Sequence, residues 1–164
     1  MTNHSPANSQ EHKQVEIFGP SFSSFVRSLM LLCEENNIEY TTGFDFAGET
    51  IEFKSEQHFK LHPFGKFPVI KHQGLVLTET ASICRYIEST FIDNSKTHFS
   101  PLHSARIDAF SAMVSIYIDK ALVRDYLLEF AFPKGEQGEV RIDVVKDMQK
   151  PAREALMVIE NELL

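Results

Sequence analysis

Tryptophan is missing from these 164 residues, and cysteine occurs only at Cys33 and Cys84. Two thiols inside helical patterns, with no Cys-x-x-Cys pair, exclude a disulfide-stapled scaffold and a cysteine-rich metal site. They fit small core residues in a reducing compartment, the cytoplasm. No apolar run approaches the length of a membrane span, and the N-terminal residues lack the apolar core of a signal peptide. Basic residues are also short: 16 Lys and Arg against 23 Asp and Glu leave a formal charge of −7. That argues against nucleic acid or an anionic membrane as the main partner. The seven histidines are scattered without ligand spacing, so no metal is assigned, and no internal repeat is present. What is there, 43% hydrophobic and 24% charged residues, can bury a core. The length suits one domain plus part of another.

The most informative stretch runs from His62 to Ile87. His62-Pro63-Phe64-Gly65 is a turn, because proline presets φ and glycine tolerates a positive one. Lys66-Phe67-Pro68 follows. Pro68 has no N–H for a ladder and therefore belongs at the start of a strand, Val69-Ile70. His72-Gln73-Gly74 reads as a hairpin turn, and Leu75-Val76-Leu77 as the returning strand. Thr78-Glu79-Thr80 then opens a helix with Ala81, Ile83, Cys84 and Ile87 as its apolar side. A helix N-terminus offers unpaired N–H groups and about half a positive charge, which suits a carboxylate. Thr80 can cap the helix and donate its hydroxyl, while Glu79 can accept from an ammonium group. Together they offer what an α-amino-acid head group needs, and Lys66 could hold a second carboxylate. On spacing alone the same residues also describe an N-capped surface helix with a solvated lysine.

In chain order, residues 1–14 are polar and unpatterned and read as a disordered tail. Val15 to Phe18 is a strand ended by Gly19-Pro20. Ser21, Ser23 and Ser24 precede a helix with Val26, Leu29, Met30 and Cys33 buried, and one of these serines reads as its N-cap. Asn36-Asn37 stop the helix, and alternation from Ile38 to Phe46 predicts a second strand. Ala47 to Leu61 reads as a connection holding one short irregular helix, with Lys54 just before it. After a polar linker over 91–100, Ser100-Pro101 start a new helix. Apolar residues from Leu102 to Phe130 fall on nearly every face, which predicts burial on several sides. A loop over 133–138 precedes a last helix from about Arg141, with Ala152, Leu156, Ile159 and Leu163 as one seam.

The stretch Pro63-Phe64-Gly65-Lys66-Phe67-Pro68, then Glu79-Thr80 and Ser82-Ile83-Cys84-Arg85-Tyr86-Ile87, closely resembles the glutathione-binding half of cytosolic glutathione transferases. Thr80 stands where serine is usual and keeps the hydroxyl, and His62 stands where asparagine is common. The resemblance implies an α/β thioredoxin-like domain over 15–90, with Pro68 cis, followed by an all-α domain over 101–164. It further implies that Glu79 and Thr80 hold the γ-glutamyl head group and that the Phe67 backbone pairs with the cysteinyl amide. Lys54 and Lys66 would take the glycine carboxylate. In phi-like members a serine lies four residues after the strand-ending glycine and four before an arginine. Gly19, Ser23 and Arg27 fit that spacing, with Ser24 as the alternative hydroxyl. No cysteine lies in this loop, which disfavours a thiol-exchange enzyme.

The expected chemistry follows from a pKa. A free thiol titrates near 8.5, so little of it is thiolate at neutral pH. Lowering that by about two pH units needs about 2.7 kcal/mol of preference for the charged form. One hydrogen bond to an anion, roughly 1.5–3 kcal/mol, suffices with a helix N-terminus behind it. Ser23 would thus donate to the glutathione thiolate rather than act as a nucleophile, and no triad is required.

The resemblance makes Phe110, Met113 and Tyr117 candidates for the wall of a hydrophobic-acceptor pocket, with core packing the other reading for each. Members of the family continue through several more helices where this chain stops at Leu164, so the all-α domain is expected to be incomplete, with two long helices. The expected activity is conjugation of glutathione, as co-substrate, to hydrophobic electrophiles by a cytoplasmic homodimer without a metal or other cofactor. The rivals are a non-catalytic glutathione-binding module and, with less support, a docking domain of the same fold.

Overall fold

The computed structural model describes residues 15–92 and 99–163, which fall into two compact units divided between His98 and Phe99. The expected tail over 1–14 and residues 93–98 of the expected linker lie outside the described residues.

The first unit is built on a four-stranded sheet of order β2-β1-β5-β6. β1 (Val15–Phe18) runs parallel to β2 (Tyr40–Gly43) and antiparallel to β5 (Val69–His72), which pairs antiparallel with β6 (Leu75–Thr78). The β5–β6 turn is the two residues Gln73 and Gly74, both at positive φ (49° and 81°), as a tight hairpin requires. Alternation divides β1 between two cores. Val15 and Ile17, with Ile70, pack against α1 (Ser24–Glu35) and α3 (Thr80–Phe91), whereas Phe18 and Val69 face Phe46 and Ile51. Both faces of the central strands are covered, so they read as continuous apolar runs.

Three expectations about this unit need correction. The strand expected over Ile38–Phe46 breaks at Gly43, where φ is 142°. Asp45–Phe46 (β3) leaves the sheet and pairs with Glu49–Thr50 (β4) across Ala47 and Gly48, both at positive φ. The connection after Ala47 is therefore a hairpin arm followed by α2 (Glu56–Leu61), not one irregular helix. Within the helices, Val26, Leu29 and Cys33 are buried but Met30 only half-buried, and Ile83 and Ile87 are buried but Ala81 is exposed.

In the second unit Ser100 accepts from the His103 N–H at 3.2 Å and Pro101 sits in the first turn of α4 (Pro101–Met113). The helix then winds more widely, with π-type turns over Val114–Ile118 and Lys120–Leu127, before α5 (Leu128–Ala131). Two ion pairs, Asp119–Arg124 (2.6 Å) and Lys120–Asp125, join residues five apart, the spacing that a π register brings face to face. Burial on several sides does not occur: Ile118 is buried, but Tyr117 is 67% exposed. A short 3₁₀ turn, Glu136–Gly138, leads to α6 (Ile142–Leu163). Val145, Ala152 and Ala155 are its buried positions, and Leu156 of the expected seam is exposed. The turn between α5 and α6 is held by buried Glu129. Its carboxylate accepts from Arg141 Nε (3.0 Å), Nη2 (2.6 Å) and backbone N–H (3.2 Å). These bonds, the Arg141 side chain first, outweigh burial and lower the Glu129 carboxyl to about 2.

Candidate functional site

Strand register decides what meets at the edge of the sheet. Phe18 pairs with Val69, and Val69 with Thr78, so three strand ends share one rung. Gly19 follows β1, Pro68 precedes β5 and Glu79 follows β6, all at the same end. The Phe67–Pro68 peptide is cis.

Gly19 makes the tight approach possible. Its φ is 140°, and a Cβ there would meet Val26 Cγ2 at 2.7 Å and Phe67 Cβ at 3.0 Å. The end of β1, the start of α1 and the cis-proline loop therefore close on one point. Ser23 follows as the N-cap of α1 (φ −67°, ψ 127°), with its carbonyl accepting from the Arg27 N–H at 2.9 Å. Its hydroxyl makes no capping bond and is half-buried, whereas Ser24 is exposed in the first helical turn.

Across the rung, α3 begins at Thr80, and Glu79 rather than Thr80 occupies the N-cap. Thr80 was expected to cap this helix. Thr80 stands one residue inside the helix, and the N-cap side chain makes no capping bond to the first turn. Glu79 holds φ 70° and ψ 111°, a sparsely populated conformation for a residue with a Cβ. Its carboxylate is 73% exposed and lies 3.6 Å from Nε2 of His62.

Lys54 and Lys66 are exposed, and among the described residues neither ammonium is paired with a carboxylate. Lys54 sits at φ 60°, its Nζ 5.2 Å from the Phe53 ring centroid. The backbones of both lysines are bonded to one buried imidazole, His58. His58 carries no assigned role in the sequence, and His62 stands out there only as a histidine where asparagine is common. The available signal was the four-residue spacing Lys54, His58, His62 across a short capped helix, which puts both rings on one face.

The thiols take no part. Burial pushes Cys33 and Cys84 up to about 11, with the neighbouring Glu34 and Glu88 carboxylates adding to it. Among the described residues no group of three or more His, Cys, Asp or Glu could hold a metal ion, and no helix is long and apolar enough to cross a membrane.

Residues 22–90 match the family model described as the glutathione S-transferase N-terminal domain. Over these residues the chain is similar to the N-terminal domain of glutathione transferases. A probable glutathione S-transferase of Oryza sativa subsp. japonica is 38% identical over 74 residues, 44% of this chain and 33% of the relative. The match thus spans one third of that relative's length. Poplar glutathione transferase F1 superposes with a TM-score of 0.72 at 23% identity, covering 92% of this chain and 69% of the poplar chain. The theta-class enzyme of Xanthomonas axonopodis pv. citri, solved with glutathione bound, gives 0.73 at 22% identity, covering 91% and 70%. These likenesses show the transferase fold, a thioredoxin-like domain followed by a helical region.

The acceptor candidates lie in the helical unit. Met113 and Tyr117 line a groove of about 340 Å³ together with Ile118, Ala121 and Val158. Phe110, half-buried, is not among the residues lining it. In the first unit a groove of about 370 Å³ runs along α3 past Ala81, Ser82 and Arg85 and includes none of the candidate residues.

Proposed function

We propose that this chain binds glutathione and transfers its thiolate sulfur to hydrophobic electrophiles. The observation that carries the reading is the shared rung: the Ser23 loop, Phe67-Pro68 and Glu79-Thr80 leave one end of the sheet together. Glu79 accepts from the α-ammonium of glutathione, and the Thr80 hydroxyl with the first N–H groups of α3 holds the neighbouring carboxylate. The Phe67 backbone pairs with the cysteinyl amide. Lys54 and Lys66 face the glycine carboxylate.

Ser23 donates to the sulfur, and the N-terminus of α1 lies behind it. The thiol proton leaves to solvent. The thiolate lone pair forms a carbon–sulfur bond while the acceptor's leaving group, or its π electrons, carry off the displaced pair. Met113 and Tyr117 contribute to the acceptor wall. The protein works in the cytoplasm as a homodimer, consuming glutathione and detoxifying the acceptor, with no other cofactor.

A second reading, a glutathione-binding module without turnover, draws on one observation: Phe110 stands apart from the groove that Met113 and Tyr117 line. Calorimetric titration with glutathione, alongside circular dichroism, tests binding to the folded chain. A conjugation assay with an activated aryl halide then separates the readings. Saturable binding with turnover supports the transferase, and binding without turnover supports the module. A folded chain that ignores glutathione overturns both.

A further inference from the structure

His58 is fully buried, yet both ring nitrogens end on main chain. The Lys54 N–H donates to Nδ1 at 3.0 Å. An N–H can meet only a lone pair, so the ring proton belongs to Nε2, which lies 3.1 Å from the Lys66 carbonyl oxygen. One neutral imidazole thus ties together two lysines on different elements, one before α2 and one before the cis proline. Neither bond reaches a lysine side chain, so the ring controls where the two stems start rather than the ammonium groups themselves.

The ring is itself fixed. Ser55 caps α2 by accepting the His58 N–H at 3.2 Å. The imidazole stacks on Phe67 (centroids 5.0 Å apart, planes 15° apart) and meets Phe18 edge-on at 4.9 Å. Phe67 is the residue whose backbone faces the cysteinyl amide in the reading above. Lys54 is at φ 60°, outside helix and strand, and its N–H is directed to this ring. A phenyl ring could keep the stacking but would satisfy neither Lys54 nor Lys66.

We propose that His58 is a positioning residue that sets the separation of Lys54 and Lys66 so that both address one carboxylate, the glycine end of glutathione. The inference rests on the glutathione reading. It differs from a purely structural role in being selective: disturbing the ring should weaken recognition of the glycine end and spare the rest of the ligand.

Calorimetry with glutathione and with γ-glutamylcysteine, which lacks the glycine, tests it on the whole chain. The unmodified chain is expected to bind glutathione more tightly. In His58→Phe that preference falls about tenfold, a loss of about one charge-assisted hydrogen bond, while γ-glutamylcysteine binds as before. His58→Gln keeps an acceptor and a donor and recovers part of the preference. Equal loss for both ligands, or no loss for either, overturns the inference.

If His58→Phe does not fold, solvent exchange of the Nε2 proton in the unmodified chain decides. Glutathione should slow it and γ-glutamylcysteine should not, because only a ligand that needs the tie stabilises it. Equal slowing, or none, overturns the inference. An unmodified chain that binds both ligands equally overturns the glycine subsite while leaving glutathione binding intact. One that binds neither overturns both.

Discussion

His62 Nε2 stands 3.6 Å from the carboxylate of Glu79, and it is the Nε2 proton that faces it. The tautomer follows from the other nitrogen, because Nδ1 accepts from the Phe64 N–H at 3.2 Å. An asparagine Oδ1 at this position can accept from the Phe64 N–H in the same way, but its Nδ2 donor sits on a shorter side chain and stops short of Glu79. His62→Asn is therefore expected to fold as stably as the parent. It should bind glutathione about two- to fivefold more weakly, the scale of a partly exposed charge contact. Thermal melts and calorimetry check both, and a large drop in stability would contradict the assignment.

Glu79 carries a backbone conformation that suits glycine better (φ 70°, ψ 111°). Glu79→Gly should raise unfolding free energy by about 1 kcal/mol. The same change should weaken glutathione binding by more than about tenfold, since the ammonium partner is lost. Denaturant titration beside calorimetry reads the two opposed effects. A variant less stable than the parent shows that the conformation costs nothing here.

Ser23→Ala removes the hydroxyl assigned to the sulfur. Losing one hydrogen bond to an anion, about 1.5–3 kcal/mol, lowers kcat/KM roughly ten- to a hundredfold and leaves the glutathione Kd nearly unchanged. The pH midpoint of the rate should rise by about one to two units as the bound thiol loses its donor. Ser24→Ala, exposed in the helix, should do neither. Unchanged turnover in Ser23→Ala would remove serine from the mechanism.

Gly19→Ala brings a methyl group within 2.7 Å of Val26 Cγ2 and 3.0 Å of Phe67 Cβ, at a φ of 140°. Overpacking plus backbone strain should cost about 2–4 kcal/mol. Because Phe67 is one of the atoms displaced, glutathione affinity should fall as well. A shift in denaturant midpoint with intact binding would show that the methyl is accommodated on the Val26 side alone.

Glu129 sets an acid limit for the helical unit. Its folded-state value is lowered to about 2 from an ordinary 4.5, first by the Arg141 side chain. A lowered carboxyl stabilises the fold fully above about pH 4.5, and that contribution disappears as pH falls towards about 2. In Glu129→Gln the helical signal should lose this part of its pH dependence while being less stable at pH 7. A variant with the parent's acid profile would assign the transition to other carboxylates.

Much of the first unit can be read from sequence because local signals there agree with one another. The hairpin turn Gln73-Gly74, proline at the mouth of β5 and the three-and-four spacing of Val26, Leu29 and Cys33 each point to the element that forms. The second unit is harder. A wheel drawn at 3.6 residues per turn over Leu102–Phe130 mixes two windings, so a stripe that follows the backbone smears over every face. The break in Ile38–Phe46 was equally hidden, since Gly43 and the Ala47-Gly48 pair interrupt an alternation that continues on both sides. At the site, Glu79, Thr80, Lys66 and Ser23 carry recognisable side chains. His58 meets only the main chain of Lys54 and Lys66, and His62 divides its ring between the Phe64 N–H and the Glu79 carboxylate, which composition cannot show.

The shared rung Phe18–Val69–Thr78 also divides the sheet by use. The loops that carry Ser23, Phe67 and Glu79 leave from one end, while the Gln73-Gly74 turn closes the β5–β6 hairpin at the other. Residues inserted at that turn lengthen the hairpin away from the rung and keep the pairing parity that points each side chain to its own core. The same insertion placed between Phe67 and Val69 would either push the cis-proline loop off the rung or slip the β5–β6 hairpin by one residue against β1, turning its two faces inside out. One end of this sheet is where sequence length is interchangeable, and the other is where a single residue is the unit of function.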